Sequence, residues 1–530
     1  MRRFFQRLKR GEVGAAAVVV GIGILVSRVL GIIRDIVFAS MLGATGVTDE
    51  YVAAFRIPDF ANYLLAGGFL TITFIPIFAR YIADDDEAGG WFAFTAILRW
   101  LAVGITTLII IAWAAAPAII EALYPSFTPQ QIDSTIHLTR IVLPAQFAFV
   151  VGAMFAAVQY TKGSFTIPTL APIIYNAGII SGGIAFAAIT GRAEPAGFIW
   201  GALVGAFVGN LLLQVWGAQR VGMRIEMSAT WKHPAVVTYA AIAFPLMLGQ
   251  SIVALDETFM SVFGARVGDG AATELQYARR TMFVPVGVIA QAAAVAAYPT
   301  LARLFAEGKR SRLYATVNRA LRYVTVLSIG AAAVAIALSL PIMRILFERG
   351  EFTPPSTASA ASALVMYAFA IPVWGVLQIV TRAFYARRQM WTPVIVGSGM
   401  TLVAIPAYFA MQGAFGIEGV ALASATMLAA YTLALLAIWY RPPDTRAGLM
   451  TVLRSAGRAL PLAVPAGFAA FGVSWLVMSR LGDQPLLAAL ASGVLGIAVF
   501  GVVVVLVGAF LHDALWHRAA RRARQAASRT

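Results

Sequence analysis

The sequence has no cysteine in 530 residues and only four histidines. Disulfides, thiolate metal sites and a cysteine nucleophile are therefore excluded. His137, His233, His512 and His517 are scattered, without the H-x-x-x-H spacing of a helical metal pair, so no metal site is expected. Charge is also scarce: charged residues make up 12% of the chain, against about 25% in an ordinary soluble domain. Acidic residues are the rarer kind, 24 against 40 basic, which leaves a net charge of +16. Apolar residues fill the remainder, at 60% of the chain with a mean hydropathy of +0.81. This composition excludes a soluble enzyme and a disordered chain.

One membrane span needs about 20 residues, so the length accommodates about 14 spans with short connections. Apolar stretches fall at 14–42, 51–82, 91–118, 135–161, 168–190, 196–217, 236–265, 272–304, 316–347, 358–386, 391–413, 416–440, 455–478 and 485–511. They are continuous and lack period-2 alternation, so they predict helices and not a β-barrel. The start, MRRFFQRLKR, has the basic character of a signal peptide. The apolar stretch behind it is long and no A-x-A site closes it, so it reads as a retained first span.

Every second connection is basic, except the Asp84–Glu87 run, whose acidic residues count little in orientation. The basic ones are the N-terminus (Arg2, Arg3, Arg7, Lys9, Arg10), Lys162, the Arg220–Lys232 loop, the loop from Arg303 to Arg322, Arg387–Arg388, the Arg441–Arg458 stretch and the tail from Arg518 to Arg529. The alternate loops, such as LGATGVTDE, GARVGDGAATE and FERGEFTPPS, hold little positive charge. Basic loops stay in the cytoplasm, so both termini are expected there and the span count should be even.

The chain also repeats itself. Phe127/Phe352, Thr128/Thr353, Pro129/Pro354, Tyr160/Tyr385 and Pro168/Pro393 share an offset of 225, and Pro76/Pro299 and Arg80/Arg303 share 223. The expected fold is an all-α polytopic membrane protein. It has two parallel six-helix repeats, related by an axis along the membrane normal, plus two C-terminal helices, an architecture of secondary transporters. The expected organisation is a basic N-terminus (1–13), a first lobe (14–220), a cytoplasmic linker (221–235), a second lobe (236–441), the extra helices (442–511) and a basic tail (512–530).

Charged side chains in a span cost about 2.5–3.5 kcal/mol and usually face a cavity or a partner. The first span carries Arg28, Arg34 and Asp35, and helical geometry puts Arg28 and Asp35 on one face. The second carries Asp49 and Arg56 on one face, with Asp59 and Asn62 nearby. The seventh carries Asp256 and Glu257. In the eighth, Arg280, Gln291 and Tyr298 align on one stripe, and the tenth carries Gln378 and Arg382. Arg28 with Asp35, and Asp49 with Arg56, are also readable as structural ion pairs, but for Arg28, Arg34, Arg56 and Arg280 the functional reading leads. Arg382 reads as a snorkelling residue, and Asn176, Asn210 and Gln214 as interhelical glue. Several arginines inside the spans of both repeats suit a diphosphate. A cation exporter would want the opposite sign.

The stretch SRVLGIIRDIVFASMLGATGVTDEYVAAFRIPD resembles the MurJ (MviN) family of lipid II flippases, in the MOP exporter superfamily. YARRTMFVPVGVIAQAAAVAAYPTLARL, ILFERGEFT and AFYARRQMWTPV resemble it as well. The resemblance implies a non-enzymatic transporter that flips undecaprenyl-diphosphate-linked disaccharide-pentapeptide by alternating access, for peptidoglycan synthesis in the bacterial inner membrane. It implies that Arg28, Arg34, Arg56 and Arg280 bind the diphosphate and that Asp35 and Asp49 form state-dependent pairs. It also implies that the two extra helices form a lipid-tail groove. Asn62, Gln291 and Gln378 are expected as further polar cavity residues, and Asp256 and Glu257 as candidates for Na⁺ or H⁺ coupling.

No cofactor and no nucleic-acid partner are expected. The expected partners are lipid II or a similar polyprenyl-diphosphate glycolipid, membrane lipids and the cell-wall synthesis machinery, with the protein a monomer. The sequence departs from the family pattern where an Arg pair, a Glu and a Gly are common, reading Asn62, Tyr63, Gly67 and Gly68. It departs again at Phe283, where a carboxylate or amide is common. The rivals are a flippase for another polyprenyl-diphosphate glycan, of O-antigen type, and a MATE-like antiporter.

Overall fold

The apolar runs of the sequence are helices, and among the described residues there is no strand. The computed structural model describes residues 12–65, 69–481 and 484–527. The N-terminal cluster Arg2, Arg3, Arg7, Lys9 and Arg10, the departures Gly67 and Gly68, and Arg529 lie outside the described residues.

In chain order the helices are α1 (Glu12–Leu42), α2 (Gly46–Ala54), α3 (Arg56–Leu65), α4 (Phe69–Ala83), α5 (Glu87–Leu123), α6 (Pro129–Val142), α7 (Ala145–Thr161) and α8 (Thr166–Thr190). Next come α9 (Pro195–Gly205), a π-turn at Ala206–Leu212, α10 (Leu213–Arg220), α11 (Pro234–Ala265), α12 (Ala271–Val286) and a second π-turn at Gly287–Gln291. They are followed by α13 (Ala292–Ala306), α14 (Arg310–Ala337), α15 (Ser339–Phe347), α16 (Pro354–Ala368), α17 (Ala370–Ala386), α18 (Trp391–Trp439), α19 (Arg446–Arg480) and α20 (Pro485–Ala527).

The duplication read from a few residues extends to helix boundaries. Shifted by 223, α4 becomes Ala292–Ala306, the bounds of α13; shifted by 225, α7 becomes Ala370–Ala386, the bounds of α17. The same shift carries Gly191, the left-handed cap of α8 (φ 75°), onto Gly416 (φ 58°). The first repeat ends a helix there. In the second, the backbone leaves helical geometry at Gly416 and a second helix follows directly across the kink. Each side of the kink has about 24 residues, enough at 1.5 Å per residue to cross a hydrocarbon core of roughly 30 Å.

Among the described residues nine helices are long and apolar enough to cross a membrane, or ten if the pair α16–α17, bent by 45°, is one span. The expected number is larger because α18 counts once on this criterion, because α2, α3 and α4 are each too short to cross alone, and because α1 and α11 are not among the nine.

Two compact units emerge: Met1–Thr273 with Arg349–Thr353, and Glu274–Glu348 with Pro354–Thr530. The division falls at Thr273 and not in the 221–235 connection, because α11 packs on α3, α4 and α5 of the first unit. The core of the first unit is aromatic: Phe74, Phe78, Trp91, Phe94 and Phe155 are buried together with Tyr239 of α11. In the second unit, Ala337 and Leu338 pack on Ala470 of α19 and Phe500 of α20, so the non-duplicated pair is seated on the end of α14.

Within lipid the hydrophobic effect does not drive helices together, and close packing must. Gly178 and Gly182 on α8 meet Gly201 and Gly205 on α9. A Cβ on Gly201 would lie 2.3 Å from the Gly178 carbonyl oxygen, and one on Gly182 would lie 2.5 Å from the Gly201 Cα. Gly201→Val should therefore cost about 3 kcal/mol through overpacking against backbone. A lowered melting temperature in detergent would report it. Gly104→Ala, which faces open space, should leave the melting temperature unchanged.

Candidate functional site

Asp35, on α1, is buried. Its Oδ1 accepts Nε of Arg34 at 3.0 Å and Nη2 at 2.9 Å, while Nη1 of Arg34 donates to Asn176 Oδ1 on α8 at 3.0 Å. Adjacent helical residues point about 100° apart and do not normally face each other. The long arginine arm closes that angle by folding back. Asn176, expected as interhelical glue, is glue of a particular kind because it holds the third edge of a guanidinium. Arg28 is exposed on the same helix.

Arg56 is also buried. Its Nε donates to the Val52 carbonyl at 3.0 Å, and its two terminal nitrogens approach Asp59 at 3.3 Å and Glu257 at 3.7 Å. Asp49 is not its partner, although the two share a face in an ideal helix. α2 and α3 break at Phe55, which removes the continuous register on which that expectation rests. Asn62, Asp256 and Glu257 are half-buried in this unit.

The Asp49 carboxylate caps the start of α12 instead. It accepts the Gly270 N–H (2.8 Å), the Thr273 N–H (2.8 Å) and the Thr273 hydroxyl (2.7 Å). Only backbone without side chains can come this close. Gly270 (φ 85°) would put a Cβ 2.5 Å from the Ala44 oxygen, and Gly350 (φ 60°) would put one 2.1 Å from the Ser40 oxygen. The Glu351 N–H donates to the same Ser40 oxygen at 3.0 Å. Ser134 of α6 donates to Glu50 at 2.5 Å. The end of α1, the start of α2, residues 266–273 and the segment 349–353 are thus stitched together within the first unit.

In the second unit Arg280 is half-buried, Gln378 is half-buried on α17 and Gln291 is exposed at the end of its π-turn. Sequence reasoning passed over Arg279, which is buried with its guanidinium carbon 5.2 Å from the Phe283 ring. Phe283 in turn lies 5.1 Å from Trp374. The aromatic that replaces a polar family residue therefore offers a cation–π face to a neighbouring arginine. Glu274, also passed over, accepts the Ser359 hydroxyl. A carboxylate beside a glycine and threonine turn was the signal for Asp49. For Arg279 only its position next to Arg280 could have served.

The family model described as lipid II flippase MurJ matches residues 38–507. The chain belongs to the MurJ family. A probable lipid II flippase MurJ of Vibrio cholerae is 27% identical, over 79% of this chain and 81% of its own. One of Rhizobium meliloti is 28% identical over 76% of each chain. The lipid II flippase MurJ of Burkholderia cenocepacia is 25% identical over 72% of this chain and 74% of its own. A solved structure of lipid II flippase MurJ in an inward closed conformation shares the fold, with a TM-score of 0.75 and 20% identity over 94% of this chain and 99% of its own. An inward-facing multidrug resistance MATE transporter of the MOP superfamily does so at a TM-score of 0.67 and 17% identity, over 83% of this chain and 98% of its own. This MurJ-family protein is thus a multi-pass, all-helical membrane protein.

The cap on α12 makes a direct prediction. Asp49→Ala leaves two backbone donors and a buried hydroxyl without their acceptor and should cost about 2–3 kcal/mol. Asp49→Asn, which keeps one acceptor oxygen, should fall between. Thermal unfolding of the purified protein would rank the three.

Proposed function

We propose that this chain carries lipid II from the inner to the outer leaflet of the bacterial cytoplasmic membrane, supplying peptidoglycan synthesis. Membership of the MurJ family over residues 38–507 carries this reading. The duplicated helices supply two similar halves that can alternate access to a cargo. Fourteen crossings, with both termini in the cytoplasm, fit the basic loops and the paired helix boundaries. The protein acts as a monomer that delivers to the cell-wall machinery, and no covalent bond changes, so lipid II leaves chemically intact.

The diphosphate is bound by Arg28, Arg34, Arg56 and Arg280. Arg34 and Arg56 are held in carboxylate pairs, so they reach cargo by exchanging partners. Arg28, exposed on α1, makes its first contact from the first unit. A proton or Na⁺ taken up by Glu257, with Asp256 beside it, weakens the hold on Arg56 and couples ion uptake to that exchange. The tail stays in lipid along α19 and α20.

The second reading is a flippase for another polyprenyl-diphosphate glycan, of O-antigen type. The departures at Asn62 and Tyr63 favour it, because they stand where an Arg pair is common and so thin the positive charge. A MATE-like cation antiporter is disfavoured by arginines in the spans of both repeats.

Expression in cells depleted of their own lipid II flippase should restore growth. Arg28→Ala and Arg280→Ala should each abolish rescue at normal protein levels, and full growth of either would refute the diphosphate role. Arg382→Ala should rescue if that residue only snorkels. Failure of the wild-type chain, with binding of an O-antigen precursor, would favour the second reading.

A further inference from the structure

The second unit carries a cavity of about 520 Å³ where the starts of α14 and α19 meet the end of α17. Its polar lining is Arg310, Ser311, Tyr314, Asn318, Arg387 and Thr445. Arg387 is half-buried and held in place. Its Nη1 donates to the Tyr314 hydroxyl at 2.9 Å, and its guanidinium carbon lies 5.3 Å from the Trp439 ring. Arg310, the first residue of α14, is exposed. Among the described residues neither arginine has a carboxylate within ion-pair distance. Glu307, the carboxylate nearest Arg310 in sequence, is occupied by Lys309 at 2.7 Å and Arg303 at 4.0 Å.

The floor of the cavity is built, not incidental. Tyr440 donates to Asn318 Oδ1 at 2.5 Å, and Asn318 Nδ2 sits where a Cβ on Gly448 would be. The glycine therefore lets the first turn of α19 approach α14.

A second cavity, of about 580 Å³, shares Phe305 with the first; Ala302, Ala306 and Met390 make its apolar wall, beside Tyr298, Tyr385 and one charged group, Arg388. A basic, hydroxyl-lined cavity beside one with an apolar wall and a further arginine fits an amphiphile with an anionic head. Both are framed by the basic loops that charge bias assigns to the cytoplasmic side, where membranes present acidic lipids.

We propose that these paired cavities bind an acidic glycerophospholipid. Its phosphodiester is held by Arg310 and Arg387, and its glycerol-ester portion lies along Phe305. Arginine suits this because its planar fork donates two parallel hydrogen bonds to a phosphate. A free phosphate would use the first cavity alone. The inference does not rest on the transported cargo.

The test uses the full chain in neutral detergent, with dihexanoyl-phosphatidylglycerol as probe and dihexanoyl-phosphatidylcholine and sodium phosphate at matched ionic strength as the other arms. Phosphatidylglycerol should raise the melting temperature saturably, while the other two should not. Arg310→Ala, at an exposed position, should weaken the apparent affinity at least fivefold without lowering the ligand-free melting temperature. Arg387→Lys, which keeps the charge but not the fork, should weaken it severalfold. Arg319→Ala, on α14 but outside the lining, should leave it unchanged. An equal shift with phosphatidylcholine, or an unaltered affinity in both Arg310→Ala and Arg387→Lys, would overturn the site. Equally tight binding of inorganic phosphate would overturn the lipid assignment in favour of a free anion.

Discussion

A polar group inside hydrocarbon has no water to turn to, and this constraint shapes the molecule at every scale. Backbone amides meet it by forming helices, which is why apolar stretches of such different composition adopt one secondary structure. Where the helix is interrupted, a side chain or another backbone segment supplies the missing partner. The Asp49 carboxylate at the start of α12 is the clearest instance, because it satisfies N–H groups that the first turn of any helix leaves open. Gln159 and Gln214 do the same between α7 and the π-turn region, with Gln159 donating to the Gln214 side chain at 3.0 Å.

The same constraint decides the arginines of the first unit. Arg34 and Arg56 are each held by carboxylates and by one further acceptor. Such groups are stable where they are, yet their partners can be exchanged. A residue meant to meet an anionic cargo in one state must be neutralised in the other, or its burial would cost several kcal/mol. The carboxylate pairs of Arg34 and Arg56 supply that neutralisation here.

Duplication sets the plan, and local deviations from it give the halves their individuality. The offsets of 223 and 225 differ by two residues, gained between the Arg80/Arg303 and Phe127/Phe352 matches. Near that gain lies the segment 349–353, whose Gly350 and Glu351 meet Ser40. Gly191 and Gly416 occupy equivalent positions, yet one ends a helix and the other bends one. The extra pair, α19 and α20, has no counterpart. It is anchored on α14 by small residues such as Ala470, which lets the helices approach closely.

Hydropathy, the alternation of basic loops and the internal offset were enough to determine the class of fold, the paired repeats and the presence of charged groups inside spans. These properties depend on composition and spacing along one chain, which a sequence carries directly. The motifs around Arg28–Asp59 and Phe347–Thr353 were enough for the family. The partners of each charge were decided elsewhere. Ideal helical geometry joined Asp49 to Arg56, but the helix is interrupted at Phe55 between them and Asp49 caps α12. Arg34 bent back onto its neighbour Asp35, with Asn176 arriving from 142 residues away. Arg279 is buried against Phe283, while its neighbour Arg280 is only half-buried. Side-chain reach and the approach of distant helices settle such choices, and both exist only once the chain has folded.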